Sequence, residues 1–468
     1  MTEKRKRKLA MPDTLIIVAS VVLLVAILSW IIPSGTYDYQ EMNINGRIRN
    51  VAIDGTYHTI DKSEVTTTRF LGFFSVLYRG CVEAADVIFM ILCCCGTFGV
   101  VVKTGAFHAG IGTILKKLKG KEILLVPIIM LIFGLGGSVF GMASEFYGFY
   151  PLIVGLGVAL GYDAMFGFAI IAVGEFVGFM GATLNPYSVG IAQTISGVEL
   201  YSGTGYRTIC FVIFMVISII YVMMYGRKIK KNPGASVVFG EKNIHAFDRD
   251  ELNEYSFTLK DGLVLLDVLV VLVVLMFGLI KWGWDFPQLC GLFLLMSMIA
   301  AAICKWSPNK WCSEFIDSAK TAMWGCILTG IAKAITVVMQ DAQIMDTVIY
   351  GLSNVLKNAP HAVSAQVMLV VQTLINFFIP SATGQASATM PIMAQLADII
   401  GVSRQTAVLA FQFGDGLSNI FWPTADIVII CGLGGISLQK WYKWFTPLFL
   451  ILFATQAILL GIATGIGF

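Results

Sequence analysis

Two stretches of this sequence decide the fold: residues 134–145 read GLGGSVFGMASE, and residues 380–389 read PSATGQASAT. Each stretch of small residues lies between two apolar arms, within residues 123–160 in the first case and 367–400 in the second. Two full membrane spans and one re-entrant hairpin both fit the first stretch, because both return the chain to the side from which it came. The repeat described below favours a re-entrant hairpin at each position.

Two long apolar runs are interrupted by a proline. Residues 164–196 contain Pro186 within GATLNPYS, and residues 407–435 contain Pro423 within NIFWPTAD. Proline removes a backbone donor and clashes with the preceding helical turn. In lipid, such an interruption survives only where it lines a cavity inside the protein. We therefore predict two broken helices, one after each hairpin.

The two halves of the chain share a pattern of landmarks. A thirteen-residue step separates Gly161 from Gly174, and the same step separates Gly401 from Gly414. Each second glycine is followed by an acid, and each unit then reaches its breaking proline. The basic loops predict that the first hairpin enters from the cytoplasm and the second from outside. Such inverted repeats with discontinuous helices are typical of secondary transporters.

The composition is that of a polytopic membrane protein. Of the 468 residues, 57% are hydrophobic and 13% are charged, whereas soluble proteins contain about 25% charged residues. No nucleophile–base motif, P-loop or metal-ligand spacing occurs in the sequence. We therefore expect no enzyme, no nucleotide-driven pump, no metal centre and no nucleic-acid partner. The expected partners are a small-molecule substrate and the lipid bilayer.

Basic residues predict the orientation. Residues 4–8 are all Lys or Arg and precede the first apolar run, residues 14–32, so the N-terminus is predicted to be cytoplasmic. A cleaved signal peptide is the alternative, but the run is long and lacks a small-x-small cleavage site. The following external segment, residues 34–80, has turn-rich positions at 43–46 and 54–55 that predict a small hairpin.

We predict an all-α protein of the bacterial cytoplasmic (inner) membrane. It has about nine spans besides two re-entrant hairpins and two broken helices, arranged as two inverted repeats. The predicted division is: residues 1–121, N-terminal scaffold spans with the external loop 34–80; 122–200, first transport repeat with a cytoplasmic-side hairpin; 201–262, a scaffold span and cytoplasmic linker; 263–360, second scaffold part; 361–437, second transport repeat with an external-side hairpin; and 438–468, a C-terminal span.

Polar residues inside the apolar runs concentrate at the four interruptions, and we expect almost none elsewhere. An ionisable residue in a membrane segment is a functional hypothesis by default, although Asp426 also fits a helix-capping role. Lys333 is either a partner of one of the acids or a site residue. The candidate substrate-binding residues are Ser144, Glu145, Glu175, Asn185, Pro186, Tyr187, Ser188, Ser381, Thr383, Gly384, Gln385, Ser387, Thr389, Asp415, Ser418, Asn419, Pro423, Thr424 and Asp426.

Several of these stretches resemble a known family. Residues 10–14 (AMPDT), 134–142, 185–186 and above all 409–416 (LAFQFGDG) are similar to the YfcC group of the C4-dicarboxylate anaerobic carrier (DcuC/ArcD-like) family, and the resemblance covers nearly the whole chain. It implies an ion-transporter-superfamily fold, a homodimer and a transport domain that moves like an elevator against a scaffold. The family label implies dicarboxylates, whereas its YfcC and ArcD-like members imply basic amino acids.

Two transport functions follow from the site residues. The first is a secondary carrier for a basic amino acid, of the arginine/ornithine type, because the breaks contain four acids and no Lys or Arg. Helix N-termini would bind the α-carboxylate, and an acid would bind the side-chain cation. The alternative is a C4-dicarboxylate symporter or exchanger, in which the acids bind the coupling cation, Na⁺ or H⁺. We expect no cofactor other than such a cation.

Overall fold

The computed structural model describes residues 14–44, 47–66, 70–118, 122–241, 245, 257–357 and 363–468. The basic cluster at residues 4–8, on which the predicted orientation rests, lies outside these ranges, as do Lys119, Lys121 and the start of the resembling stretch 10–14. The described chain is predominantly helical, at 76%.

The first half contains nine helices in the described ranges, before and after a small β-region. They are α1 Thr14–Ile31, α2 Phe70–Glu83, α3 Ala85–Lys103, α4 Ala106–Leu118, α5 Leu125–Leu135, α6 Phe149–Ala159, α7 Ala164–Gly181, α8 Val189–Ile195 and α9 Thr204–Lys231.

A linking helix, α10 (Leu259–Lys281), precedes nine further helices. They are α11 Phe286–Ile303, α12 Pro308–Lys320, α13 Met323–Asp341, α14 Met345–Lys357, α15 Ser364–Phe378, α16 Ala382–Ile399, α17 Arg404–Ser418, α18 Asp426–Gly434 and α19 Leu438–Gly465.

Helices ten places apart in this order resemble one another in length and in packing. The helices α1 and α11 both have 18 residues, α3 and α13 have 19, and α9 and α19 have 28. In the first half α5, α6 and α9 all pack on α7, and in the second α15, α16 and α19 all pack on α17. Across the halves, α2 packs on α13 while α12 packs on α3.

Nine helices in the described part of the chain are long and apolar enough to cross a membrane. Seven of them (α1, α3, α9, α10, α11, α13 and α19) coincide with the apolar runs that the sequence predicts as spans, which are residues 14–32, 84–103, 208–225, 263–280, 289–304, 322–338 and 447–466. The other two are the first hairpin arm, Glu122–Phe140, and α7, which is the first part of a broken helix. A helical protein with many membrane spans is therefore confirmed, with seven spans among the described residues outside the hairpins and broken helices where about nine were predicted.

The two long parts of the broken helices form the centre of the molecule. Every residue of α7 is buried, and so are residues 406–418 of α17. These two helices pack on each other. By contrast, only 28% of the residues in the most apolar 18-residue stretch of α1, and of α10, are buried. An apolar helix of membrane-spanning length therefore lies at the protein centre, away from the lipid-facing surface.

Local signals explain where these central helices begin and end. Asp163 caps α7 by accepting a hydrogen bond from the Phe166 amide at 2.7 Å, and Ser403 caps α17 by accepting from the Thr406 amide at 3.0 Å. A side-chain acceptor at this position satisfies a free helical N–H. The helix α7 ends at Ala182, whose φ of +34° is left-handed and stops helical propagation.

The segment predicted to be external, residues 34–80, contains two short antiparallel β-ladders. Strand β1 (Ser34–Thr36) pairs with β4 (His58–Ile60), and β2 (Tyr39–Ile44) pairs with β3 (Arg47–Ala52), so the small hairpin expected there is present. Its turn, residues 45–46, lies outside the described residues. Asp346 at the start of α14 accepts hydrogen bonds from this region, which attaches the ladders to the helical body.

Two helix boundaries differ most from the sequence prediction. The helix α2, which packs on α13, begins at Phe70, within the segment predicted to be an external loop as far as residue 80. The last helix begins at Leu438 rather than at Pro447, which lies inside it. Membrane helices tolerate an interior proline because neighbouring groups satisfy the freed backbone positions, so Pro447 is a poor boundary marker here.

Candidate functional site

The tip of the first hairpin contacts both breaks. The hydroxyls of Ser138 and Thr183 lie 3.0 Å apart, which joins the hairpin to the break after α7. The Tyr147 hydroxyl donates to an Asp426 carboxylate oxygen at 2.9 Å, which joins it to the break after α17. One hairpin tip therefore bridges the two broken helices.

The second hairpin makes the complementary pair of contacts. The Thr383 hydroxyl donates to the Tyr187 carbonyl at 2.8 Å, in the break after α7. The indole of Trp422, in the break after α17, donates to the Thr373 carbonyl at 2.7 Å. Thr373 lies on α15, the first arm of the second hairpin. The four predicted interruptions thus meet in one connected region.

The glycine that precedes each acid has a specific packing role. A Cβ on Gly174 would lie 2.9 Å from the Met130 backbone on α5, and a Cβ on Gly414 would lie 2.9 Å from Gln372 on α15. Neither position has room for a side chain in a close-packed interior. The glycines therefore allow each broken helix to approach its hairpin arm, with the following acid beside that contact.

In the first half, the acid is Glu175, which is fully buried in α7. The Tyr150 hydroxyl, on the second hairpin arm, donates to its Oε2 at 2.8 Å. The Oε1 atom accepts no hydrogen bond from any described residue. A buried carboxylate with one donor is poorly compensated, because burial removes the water that would solvate its charge.

In the second half, the acid is Asp415, held by an amide network. The Asn376 amide donates to its Oδ1 at 2.9 Å and also to Gln385 Oε1 at 3.1 Å. Gln385 in turn donates to Gln372 Oε1 at 2.7 Å, and Gln372 donates to the Thr389 hydroxyl at 3.2 Å. This ladder of side chains links the two arms of the second hairpin to the central helix.

The other two acids lie at the chain breaks themselves. Glu145 turns back on the first hairpin tip, where it accepts from the Ala143 amide at 3.0 Å. Asp426 is half-buried at the first position of α18, whereas the other three acids are buried. It is therefore the most exposed of the four acids.

None of these four acids forms an ion pair with a Lys or Arg in the ranges that the structure describes. Buried oxygens at the site also lack hydrogen-bond donors among the described residues. They are Glu175 Oε1, Ser188 Oγ, Asn376 Oδ1, Gln412 Oε1, Asp415 Oδ2, Asn419 Oδ1 and Thr424 Oγ1. The region is rich in acceptors and short of donors and of positive charge.

Several predicted residues satisfy their own backbone instead. The hydroxyls of Ser387, Thr389 and Ser418 each donate to the carbonyl four residues earlier on the same helix. Ser381 caps α16 through the Gly384 amide, at 3.3 Å. These side chains stabilise the hairpin and the broken helix locally.

Asn185 shapes the first break rather than facing a free space. Its Oδ1 accepts from the amides of Tyr187 and Ser188, at 2.9 and 3.2 Å, and its amide donates to the Gly137 carbonyl at 3.4 Å. The predicted residues Ser144, Pro186, Tyr187, Thr383, Gly384 and Pro423 are half-buried, and Ser381 is exposed.

The expectation that polar residues are almost absent outside the breaks is wrong. Gln372 and Asn376 lie in the middle of an apolar arm, and both are fully buried. Their spacing of four residues places them on one face of α15, which is a readable sequence signal. The partner helix, however, becomes evident only from the fold.

Arg207 is a second residue that sequence reasoning missed. It lies at the start of α9, is 1% exposed, and donates to the Thr183 carbonyl in the first break at 3.3 Å. The corresponding position of α19 is Trp441, which donates to the Ile420 carbonyl in the second break at 2.8 Å. The Thr183 carbonyl follows the C-terminus of α7, and the positive charge of Arg207 is favourable there because helix C-termini carry partial negative charge.

Lys333 is half-buried on α13, and it forms no ion pair within the described part of the chain. The helix that carries it packs directly on α18, where Gly325 and Gly432 are in close contact.

The sequence matches the family described as "C4-dicarboxylate anaerobic carrier" (DcuC) over residues 11–465. It is 32% identical over 489 residues, covering 97% of this chain and 96% of the relative, to the Escherichia coli (strain K12) protein named "Putative basic amino acid antiporter YfcC". A Haemophilus influenzae relative named "Uncharacterized protein" is 27% identical, covering 98% of this chain and 97% of its own length.

Two solved transporters align over most of this chain. The Alcanivorax borkumensis YdaH transporter aligns over 98% of this chain and 99% of its own, with 15% identity and a TM-score of 0.43. The Neisseria gonorrhoeae protein MtrF aligns over 97% and 96%, with 16% identity and a TM-score of 0.44. The family match over nearly the whole sequence and the apolar helices together identify the chain as a multi-span membrane protein of the C4-dicarboxylate anaerobic carrier (DcuC) family of bacterial transporters.

Proposed function

We propose that this protein is a secondary active transporter that exchanges basic amino acids across the bacterial cytoplasmic membrane. The observation that carries the proposal is the excess of acceptors at the site: four acids without an ion-pair partner among the described residues, and buried oxygens without donors. Guanidinium and ammonium groups have only donors, so the side chain of arginine or ornithine supplies what the site lacks. The name of the Escherichia coli relative points to the same substrate class.

The two ends of the substrate are assigned to opposite sides of the site. Asp426 is the most exposed of the four acids, and the aromatic residues Phe421 and Trp422 belong to the same break, so we assign the cationic end to this place. The α-carboxylate binds at the first turn of α16, where the partial positive charge of the helix favours an anion. Thr383 in that turn contacts the first break.

Exchange rather than one-way transport follows from the same charges. A carrier whose site holds uncompensated carboxylates pays a large cost to bring them through the membrane interior. A bound basic amino acid neutralises part of this charge, so the loaded site moves more readily than the empty one. This makes the return step depend on a counter-substrate, as in an arginine/ornithine exchanger.

We infer further that the two halves are inverted repeats and that transport follows an elevator mechanism. The pairing of α1–α9 with α11–α19 in length and packing supports the repeat. The hairpins and broken helices, α5–α8 and α15–α18, contact one another extensively and form the moving body. The helices α1–α3 and α11–α13 form the scaffold, where contacts such as α2 on α13 hold the two halves together.

A dicarboxylate carrier is the second candidate, and Arg207 is the observation that favours it. A buried guanidinium whose Nε has no described partner lies just behind the first break. Succinate has two carboxylates, however, and adds acceptors and negative charge to a site already rich in both. Arg207 suits a single carboxylate, which a basic amino acid also carries.

A binding screen on the purified protein tests the substrate class. Thermal shift is measured with arginine, ornithine, lysine, neutral amino acids, succinate and fumarate, each at matched ionic strength. Stabilisation by arginine and ornithine, with none by succinate, is the expected result. Stabilisation by the dicarboxylates alone would assign the protein to the second candidate.

The elevator mechanism is tested by cross-linking the first hairpin to the scaffold. A Cβ on Gly148 would lie 2.2 Å from the Phe98 ring on α3, so the pair Phe98→Cys and Gly148→Cys, in a background without native cysteines, reports that contact. Its cross-linking yield should change when substrate is added. The pair Ser138→Cys and Thr183→Cys lies within the moving body and serves as the unchanging control.

A constant yield for the Phe98–Gly148 pair, with and without substrate, would contradict a hairpin that moves against the scaffold.

A further inference from the structure

Asp415 and the two asparagines beside it have more acceptors than donors can satisfy. The carboxylate is 0% exposed; its Oδ1 accepts a hydrogen bond from the Asn376 amide at 2.9 Å, and its Oδ2 accepts none from any described residue. Within the described part of the chain, no Lys or Arg forms an ion pair with it. A negative charge is therefore enclosed with dipoles alone.

The amide ladder fixes which way Asn376 points. Gln385 donates through its Nε2 to both the backbone carbonyl and the Oε1 of Gln372, at 2.9 and 2.7 Å, so its own Oε1 is left as an acceptor. Asn376 must therefore present its NH₂ group to Gln385 and Asp415. An amide has only two such donors, and both are now used.

The result is a group of unsatisfied oxygens around one carboxylate. Asn376 Oδ1 and Asn419 Oδ1 accept no hydrogen bond from any described residue, and their side chains are 0% and 4% exposed. Buried amide oxygens are ordinarily paired. Both residues lie beside the same acid, because Asn376 donates to Asp415 and Asn419 follows it by one helical turn. Together with the unpartnered Oδ2 of Asp415, these two oxygens indicate a ligand at this place.

A proton on Asp415 accounts for only half of this arrangement. A protonated carboxyl group donates once, so it satisfies one of the two amide oxygens and leaves the other unpaired. A small metal cation instead binds the carboxylate and both amide oxygens at the same time. Hard cations prefer such oxygen ligands, and broken membrane helices supply further backbone carbonyls for them.

We propose that Asp415, Asn376 and Asn419 form a binding site for a small monovalent metal cation, of the size of Na⁺, beneath the substrate site at Asp426. Its role in the cycle rests on the exchange function proposed above: the ion keeps the deep acid neutral while Asp426 binds one amino acid and then the other. The binding itself needs no amino acid.

The first half lacks these features at the equivalent position. Glu175 is held by the Tyr150 hydroxyl, and no amide oxygen belongs to that contact. The proposal therefore assigns the cation to the second half alone, and Glu175→Gln provides a matched control that also removes one fully buried acid.

The test uses purified full-length protein in detergent without amino acids. Thermal shift is measured against NaCl concentration, with choline chloride keeping the ionic strength constant. We expect saturable stabilisation by Na⁺, an apparent affinity at least tenfold weaker in Asp415→Asn, and an unchanged affinity in Glu175→Gln. If Asp415→Asn does not fold, Asn419→Ala serves as the second variant, with the same direction expected.

Equal stabilisation by choline, or a response lost in Glu175→Gln and kept in Asp415→Asn, would overturn the proposal. So would stabilisation by acidic pH in place of Na⁺. Arginine counterflow separates the two hypotheses: its absence beside an intact Na⁺ response refutes the exchange function alone, and its presence without an Na⁺ response refutes the cation site alone.

Discussion

The two halves of this transporter share a backbone plan and differ in the polar chemistry placed upon it. Each half has a hairpin, a glycine against the hairpin arm, a buried acid and a break. In the first half, a tyrosine hydroxyl binds Glu175, and the helix after the break begins with Val189. In the second, an amide ladder binds Asp415, and the corresponding helix begins with Asp426.

The charges behind the breaks differ in the same sense. The first break is backed by Arg207 and the second by the neutral Trp441, each donating to a break carbonyl. The first half therefore combines two buried acids, Glu145 and Glu175, with the buried cation Arg207, while the second combines Asp415 and Asp426 with the neutral Trp441. The two halves therefore share a backbone arrangement but differ in net charge, the second half being the more negative. This difference suits a substrate that carries a carboxylate at one end and an additional positive group at the other.

The largest expected effect is on the second half. Asp426→Asn should reduce arginine exchange about 100-fold, because a hydrogen-bonded charge contributes up to about 3 kcal/mol and each 1.4 kcal/mol is a factor of ten. Initial rates of labelled arginine uptake into ornithine-loaded proteoliposomes measure it. Asp398→Asn removes an exposed acid outside the site and should leave the rate unchanged. If the Asp426→Asn variant exchanged arginine at the wild-type rate, the cationic end of the substrate would not bind at Asp426.

The backbone plan itself predicts equal effects in the two halves. Gly174→Ala and Gly414→Ala each place a Cβ 2.9 Å from an atom of the neighbouring hairpin arm, which is closer than normal contact. Overpacking of this kind typically costs about 1–3 kcal/mol of folding stability. Thermal shift in detergent should show similar destabilisation for both. Gly205→Ala in α9, where no atom lies within 4 Å, should be neutral or stabilising. A large difference between the first two would contradict the structural equivalence of the halves.

Arg207 tests whether the buried positive charge of the first half contributes to transport. Arg207→Met should lower arginine exchange about tenfold, which corresponds to about 1.4 kcal/mol, and should leave the melting temperature nearly unchanged. Replacing a buried charge by a hydrophobic residue of similar volume is often neutral for stability. Uptake rates and thermal shift are measured together. A variant that transports normally but melts early would make Arg207 a structural cap only.

The smallest effect is expected at the surface, where the end of α16 meets the start of α17. Arg404, the first residue of α17, donates to Asp398 in α16, and this hydrogen bond holds the pKa of Asp398 below its usual range. Arg404→Ala should cost less than about 1 kcal/mol, as is typical of exposed ion pairs. Because the pKa is lowered, the contribution is complete above the usual aspartate range and is lost as pH falls through the lowered value.

Chemical denaturation of wild type and Arg404→Ala should therefore show a constant small difference between pH 5 and 8. A difference that grows as pH falls would contradict this sign.

The sequence predicted the positions of the interruptions because their causes are local. Pro186 and Pro423 cannot continue a helix, and the chain is broken around both. The Gly-acid landmarks are equally readable, although their reason, contact with the hairpin arm, appears only in the packing. The family resemblance is confirmed by the match over residues 11–465.

The pairing of polar groups was beyond local reasoning. Tyr150 and Glu175 lie on different helices, as do Asn376 and Asp415, and no spacing along the chain relates them. Arg207 was missed because it precedes the apolar run predicted as a span and looks like an interfacial charge. The bonds that the hydroxyls of residues 387, 389 and 418 donate to their own helices were likewise not predicted, and the role of these residues in substrate binding stays a prediction.

Counterflow is the measurement that tests the central claim most directly. Proteoliposomes containing the wild-type protein are loaded with ornithine, arginine, succinate or buffer, and entry of labelled arginine is followed. An acceptor-rich site predicts rapid entry into the ornithine- and arginine-loaded vesicles and only background entry into the other two. Arginine entry that ornithine does not stimulate, together with succinate entry that internal succinate does stimulate, would contradict it.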